Sequence, residues 1–222
     1  MKTCIAAIIA IVAAGGVQAQ SPDAVMDRAV KAYSEMSSVR AEFRQTITNP
    51  LTGTTSTSRG VMLRKAPNLL SINFTDPRGD RLVADGKSVW VYLPSSAPGQ
   101  VLRMPASGNN SLAMVDPAGV FLSSPSSRYT MSTGGTATIS GRKANIVLLV
   151  PRKSNNAFSR AKVWVDVTDD TIRQFEVVDA NGLTRMVTIT KLQPNAPIGR
   201  GEFSFTPPKN ARVLDSSALS GM

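Results

Sequence analysis

The chain has 222 residues, with 25 Lys or Arg against 15 Asp or Glu and a formal net charge of +10. It has no histidine and one cysteine, Cys4, which excludes Ser-His and Cys-His nucleophile pairs and zinc, copper or haem sites of the usual ligand types. Its cations are scattered, with no run longer than Arg64-Lys65, Arg142-Lys143 or Arg152-Lys153, and aromatics are 5% of the chain, unlike a nucleic-acid reader with its concentrated basic stripe and stacking rings.

Residues 1–19 read as an export signal. Lys2 gives the positive start, Cys4 to Ala14 is an apolar run too short to span a bilayer, and Val17-Gln18-Ala19 is a small-residue cleavage site. Cys4 leaves with this segment, so the expected mature chain, residues 20–222, is one exported domain held together by burial without a disulfide.

Ser21-Pro22-Asp23 reads as an N-cap and helix start, followed by Val25, Met26, Ala29, Val30 and Tyr33 on one apolar face. Val39, Ala41, Phe43, Gln45 and Ile47 then alternate with polar residues, the period of a strand with one face inside. A Thr/Ser-rich strand ending Gly60-Val61-Met62-Leu63-Arg64 follows. Leu69–Phe74, Arg81–Ala84, Ser88–Leu93 and Gln100–Met104 continue an antiparallel meander, with Asp85-Gly86 as a tight hairpin turn.

Between Pro105 and Ser127 the pattern changes to short apolar helical turns, Leu112–Val115 and Ala118–Leu122, which need a surface to cover. Strands resume at Arg128–Ser132, Thr136–Ile139, Asn145–Val150, Lys162–Val167, Ile172–Val178 and Thr184–Lys191, with turns at Gly134-Gly135 and Asn181-Gly182 among others. Phe203–Pro208 reads as a last short strand stopped by prolines. The fold class expected is mainly β: a large antiparallel, half-open β-barrel of about eleven to twelve strands, with an N-terminal helix and a short helical lid. The acids sit mostly beside turn residues, as Asp76, Asp85, Asp116, Asp169, Asp170 and Asp179 do. No paired-carboxylate cleft is evident, so the chain is read as a non-enzyme without cofactor or metal.

Several stretches, in this order, resemble the LolA/LolB-like family of periplasmic lipoprotein carriers and receptors: Phe43-x-Gln45, Pro67-Asn68-Leu69-Leu70, Asp76-Pro77, Val83-Ala84-Asp85-Gly86-Lys87 with Trp90-Val91-Tyr92, Arg173-Gln174-Phe175, and Phe203-Ser204-Phe205-Thr206-Pro207-Pro208. The resemblance implies an incomplete barrel covered by helices. It implies a soluble, monomeric periplasmic carrier that accepts acylated lipoproteins from an inner-membrane ATP-driven releasing complex and passes them to an outer-membrane receptor. Leu70, Ile72 and Phe74 are then expected to face the acyl chains, with Phe43, Met62, Val89, Val91 and Met104 on the same wall. Leu112, Met114, Val115, Phe121 and Leu122 are expected on the lid. The family's gating arginine, just before Pro-Asn-Leu, is replaced here by Ala66; Arg64, on the same strand face, is the candidate substitute. Half-barrels of this kind also resemble periplasmic sensors of mislocalised lipoproteins, and a carrier of another lipid is a further alternative.

Overall fold

A computed structural model gives the fold and describes residues 20–106, 117–153 and 158–216. The expected signal segment and the lid residues Leu112, Met114 and Val115 lie outside these.

Helix α1 (Pro22–Ser34) starts where Ser21 Oγ accepts the Ala24 N–H at 3.2 Å, and it buries Val25, Met26 and Ala29. The strands are β1 (Ser38–Asn49), β2 (Thr54–Lys65), β3 (Leu69–Asp76), β4 (Arg78–Ala84), β5 (Ser88–Tyr92), β6 (Gln100–Pro105), β7 (Tyr129–Ile139), β8 (Arg142–Pro151), β9 (Arg160–Asp166), β10 (Ile172–Val178), β11 (Thr184–Pro194) and β12 (Arg212–Asp215). Among the described residues, two short helices, α2 (Pro117–Leu122) and α3 (Pro125–Arg128), stand between β6 and β7.

All twelve strands form one sheet in the order β12-β6-β5-β4-β3-β2-β1-β11-β10-β9-β8-β7. β7 and β12 are its two ends, so the barrel is open. The two halves of the chain meet where β1 pairs with β11, from Val39 opposite Pro194 to Thr48 opposite Thr184.

Three local differences from the sequence reading have physical causes. Gly134-Gly135 is not a turn: β7 runs through it, with a register shift between Thr133 and Thr136 where Gly135 has φ +85° and Ile146 packs over Gly134. At the β4–β5 hairpin the two loop residues are Gly86 and Lys87, with Gly86 at φ +92° and Asp85 at the corner, where its N–H donates to the Ser88 carbonyl. The Asp85 carboxylate accepts from the N–H groups of Lys87 and Ser88 and from Trp90 Nε1. Burial pushes its pKa up, but these donors outweigh it and the net shift is down.

The third difference is at the C-terminus. Phe203 ends a 3-10 turn (Arg200–Phe203), and residues 204–208 do not pair as a strand. Phe205 instead packs against Trp90 and Tyr92, whose side chains point to the face opposite Val89 and Val91, with the Arg81 guanidinium over its ring. Pro207 and Pro208 lack the N–H groups a ladder needs. The last strand is β12, which pairs parallel to β6.

The helix-bearing face of the sheet holds the core, in which Val39, Ala41, Leu149, Val163 and Phe121 have no exposed surface. At the β9–β10 turn, the buried Asp166 carboxylate accepts from Arg142 and Arg173, and Asp169 accepts from the same two guanidiniums. α1 is tied to this turn by Arg28 Nε donating to Asp170 at 3.0 Å.

Burial pushes the Asp166 pKa up, but hydrogen bonds from Arg142, the Thr168 N–H and Arg173 hold it down to about 2, below the ordinary 3.8. A lowered folded pKa gives stability that is complete above the unfolded value and lost as pH falls through the folded one. Asp166→Asn should therefore cost on the order of 2 kcal/mol near neutral pH. In denaturant titrations the gap from wild type should narrow as pH falls from about 4 towards about 2.

Candidate functional site

Strand alternation sends every second side chain to the helix-covered face, and the register sorts these into rows across the sheet. One row runs Arg64–Leu70–Ala84–Val89–Met104 from β2 to β6, and the next runs Met62–Ile72–Leu82–Val91–Leu102. The second row forms the floor of a cavity of about 490 Å³ to which Met62, Ile72, Leu82 and Val91 contribute, and Phe43 and Phe74 line it one step further along the strands.

Of the expected acyl-facing residues, the structure thus brings Phe43, Met62, Ile72, Phe74 and Val91 together around one space. Leu70, Val89 and Met104 are not in its lining. They share its face of the sheet but stand in the neighbouring row, where Leu70 and Val89 are buried in the core and Met104 packs against it. The pleat fixes the face a side chain takes; where the helices sit along the strand decides whether it meets packed core or open space.

Phe43 depends on a glycine. Gly60 is its partner on β2, and a Cβ there would lie 2.6 Å from the Asn73 carbonyl and 2.9 Å from the Phe43 ring. The missing side chain leaves room for Phe43 to reach Phe74 edge-on, with centroids 5.7 Å apart.

The far wall comes from β10 and β11, through Ile172, Phe175, Val187, Ile189 and Leu192. These escaped the sequence reading although Phe175, Val187 and Ile189 alternate with polar residues, because their placement opposite β3 requires the β1–β11 pairing. Ile47 and Leu93 also line the space and carried a usable signal: each shares strand parity with an expected residue, Phe43 or Val91.

The roof is helical. Tyr33 of α1 and Ala118 of α2 close the cavity from above. Phe121, expected on the lid, is the anchor of α2: it is fully buried and meets Phe158 and Phe175 edge-on at 5.6 and 5.5 Å. Tyr129 Oη donates to the Val120 carbonyl at 3.2 Å, and burial pushes its pKa up against the opposing pull of Arg128, so it stays a neutral donor. Leu122 lines a second, smaller cleft of about 190 Å³, shared with Val30 and Tyr33 of α1, Gly119 of α2, and Arg64. The candidate gate residue therefore stands where the two helices meet the sheet.

One end of the main cavity is polar. Gln45 Nε2 donates to Ser58 Oγ at 3.1 Å, and beyond them Arg185, Ile47 and Ser56 stand in one row across β11, β1 and β2. At another part of the wall Asp80 accepts the Ser95 N–H and hydroxyl at 3.1 and 2.6 Å. The arrangement can enclose an apolar chain and offer hydrogen bonds to a polar end; among the described residues its lining pairs no nucleophile with a base.

Known proteins resemble this chain in sequence and in fold. Residues 34–206 match the family described as outer membrane lipoprotein carrier protein LolA. The outer-membrane lipoprotein carrier protein of Salmonella paratyphi B is 28% identical over 211 residues, covering 94% of this chain and 95% of that one. That of Serratia proteamaculans is 27% identical over 184 residues, covering 82% and 83%. In fold, the crystal structure of an uncharacterized conserved protein from Thermus thermophilus superposes with a TM-score of 0.56 at 14% identity, covering 88% of this chain and 99% of that one. With the family match spanning β1 to the C-terminal segment, this chain belongs to the LolA family of outer membrane lipoprotein carrier proteins.

Proposed function

We propose that this protein is a soluble periplasmic carrier that holds lipoprotein acyl chains between the open sheet and its helical roof, and moves them from the inner to the outer membrane. The observation that carries this reading is the apolar cavity of about 490 Å³ lined by Phe43, Met62, Ile72, Phe74 and Val91, within the size range of small-ligand pockets. Its donor would be an ATP-driven releasing complex of the inner membrane and its acceptor an outer-membrane receptor.

The chemistry is transfer without covalent steps. Leaving the bilayer forfeits about 0.8 kcal/mol for each methylene, so the carrier must offer apolar surface in return. The adaptable Met62 thioether and the aromatic pair Phe43–Phe74 supply it, and flexible side chains suit mixed acyl chains. Full entry of several chains requires α2 to move outward, which withdraws Phe121 from its aromatic contacts and breaks the Tyr129–Val120 hydrogen bond. The ligand drives that movement only as far as it binds the open form better than the closed one. Arg64, at the cleft between α1, α2 and β2, is the side chain proposed to hold the empty form shut.

Phe74→Glu places a carboxylate in the lining at a position only half-buried, so the fold should survive. Affinity for a fluorescent fatty alcohol, read by titration alongside the melting temperature, should fall at least tenfold, about 1.4 kcal/mol. Unchanged affinity would remove the cavity assignment. Arg64→Ala and Tyr129→Phe should each loosen the roof by about 1 kcal/mol. Faster hydrogen exchange at residues 117–122 of the empty protein would register it, and exchange equal to wild type in both variants would count against a gated roof.

A further inference from the structure

We propose that Arg185 is an anion-binding group inside the cavity, so that the site takes a single-chain amphiphile with a carboxylate or phosphate head alongside its acyl cargo. This rests on the acyl-binding reading above and specifies a ligand class for the same cavity.

Arg185 lies on β11 with the same parity as Val187 and Ile189, and all three line the cavity. Its lateral neighbours in the sheet are apolar, Ile47 on β1 and Val177 on β10. Among the described residues its guanidinium makes no ion pair or side-chain hydrogen bond, whereas Arg142 and Arg173 share Asp166 and Asp169. Burial alone displaces its pKa, downward from the ordinary arginine value. A half-buried arginine without a counter-ion sits in a costly environment, and an incoming anion would relieve that cost.

Its surroundings complete the site. Ser56 stands in its row and Gln45 and Ser58 in the next, so neutral donors flank the guanidinium while Phe43, Val187 and Ile189 continue the apolar wall away from it. Asp80 is the carboxylate in the lining, but β3, β2 and β1 separate its strand from β11, and Ser95 already engages both of its oxygens. An amphiphile would place its head on Arg185 and its chain along Phe43 and Phe74. Arginine's planar fork suits both carboxylate and phosphate.

Titration calorimetry with palmitic acid at a pH where it is ionised, hexadecyl phosphate and hexadecanol tests this on the intact protein. Wild type should bind at least one of the two anions about tenfold or more tightly than the alcohol, and which of them shows the preference identifies the head. Arg185→Gln should bring that ratio close to one, and Arg185→Lys should retain part of it. Equal affinity for all three ligands in wild type, or a preference that survives Arg185→Gln, would overturn the anion site while leaving the acyl cavity intact. Binding of none of the three would overturn both.

Discussion

Among the described residues, the inner face of one open sheet is larger than the helices that cover it, and much of the molecule follows from that mismatch. Twelve strands in a single layer present a broad apolar surface, and an apolar sheet face must be buried against something. Within the described residues the cover consists of α1, α2 and α3, the last two of six and four residues. They pack over the region of Val39, Phe121 and Leu149 and leave the floor around Ile72 and Phe74 without a complete partner. Elsewhere such a gap would be a defect; here the glycine at position 60 leaves the room in which Phe43 meets Phe74 on the floor. Among the described residues, the cavity is the part of the core that these helices leave uncovered.

Under the proposed function, the same mismatch would set the energetics of loading. Phe121 gives the roof a firm aromatic anchor, while Ala118 and Gly119, the small residues of the same helix, face the two hollow spaces. Holding a short helix by one large side chain allows it to be displaced as a unit at the cost of one cluster of contacts. Under the proposed carrier function, acyl chains that take up the released surface would offset that cost and keep loading and unloading near balance. A carrier needs that balance, because a ligand held too well is never handed on.

Strand identity and strand face were largely legible in the sequence. The alternation through Phe43, Gln45 and Ile47, and within β3 and β5, shows which side chains share one face of the sheet. What the sequence hid was information carried by distant pairing. β1 and β11 are separated by more than a hundred residues, and only their register brings Phe175, Val187 and Arg185 opposite Phe74. Leu70 and Val89 stand in the core beside the cavity for a related reason: parity distinguishes two faces but not core from cavity along one face. Gly134-Gly135 has the composition of a turn, yet positive φ serves turns and bulges alike. The terminal Phe205 looked like a strand residue, yet the rings of Trp90 and Tyr92 capture it from the outer side.

The bulge in β7 and the brevity of β12 have a meaning beyond local geometry. An unclosed sheet has two rims of unpaired backbone donors and acceptors, each a template on which a second chain could add a strand. At one rim the glycine bulge interrupts β7 and twists it away from the straight form that templating requires. At the other, the chain folds its own four-residue β12 alongside β6, shielding that strand with a parallel partner too short to recruit another in turn. The sheet thereby stays open on its inside while both of its margins are poor templates for another strand.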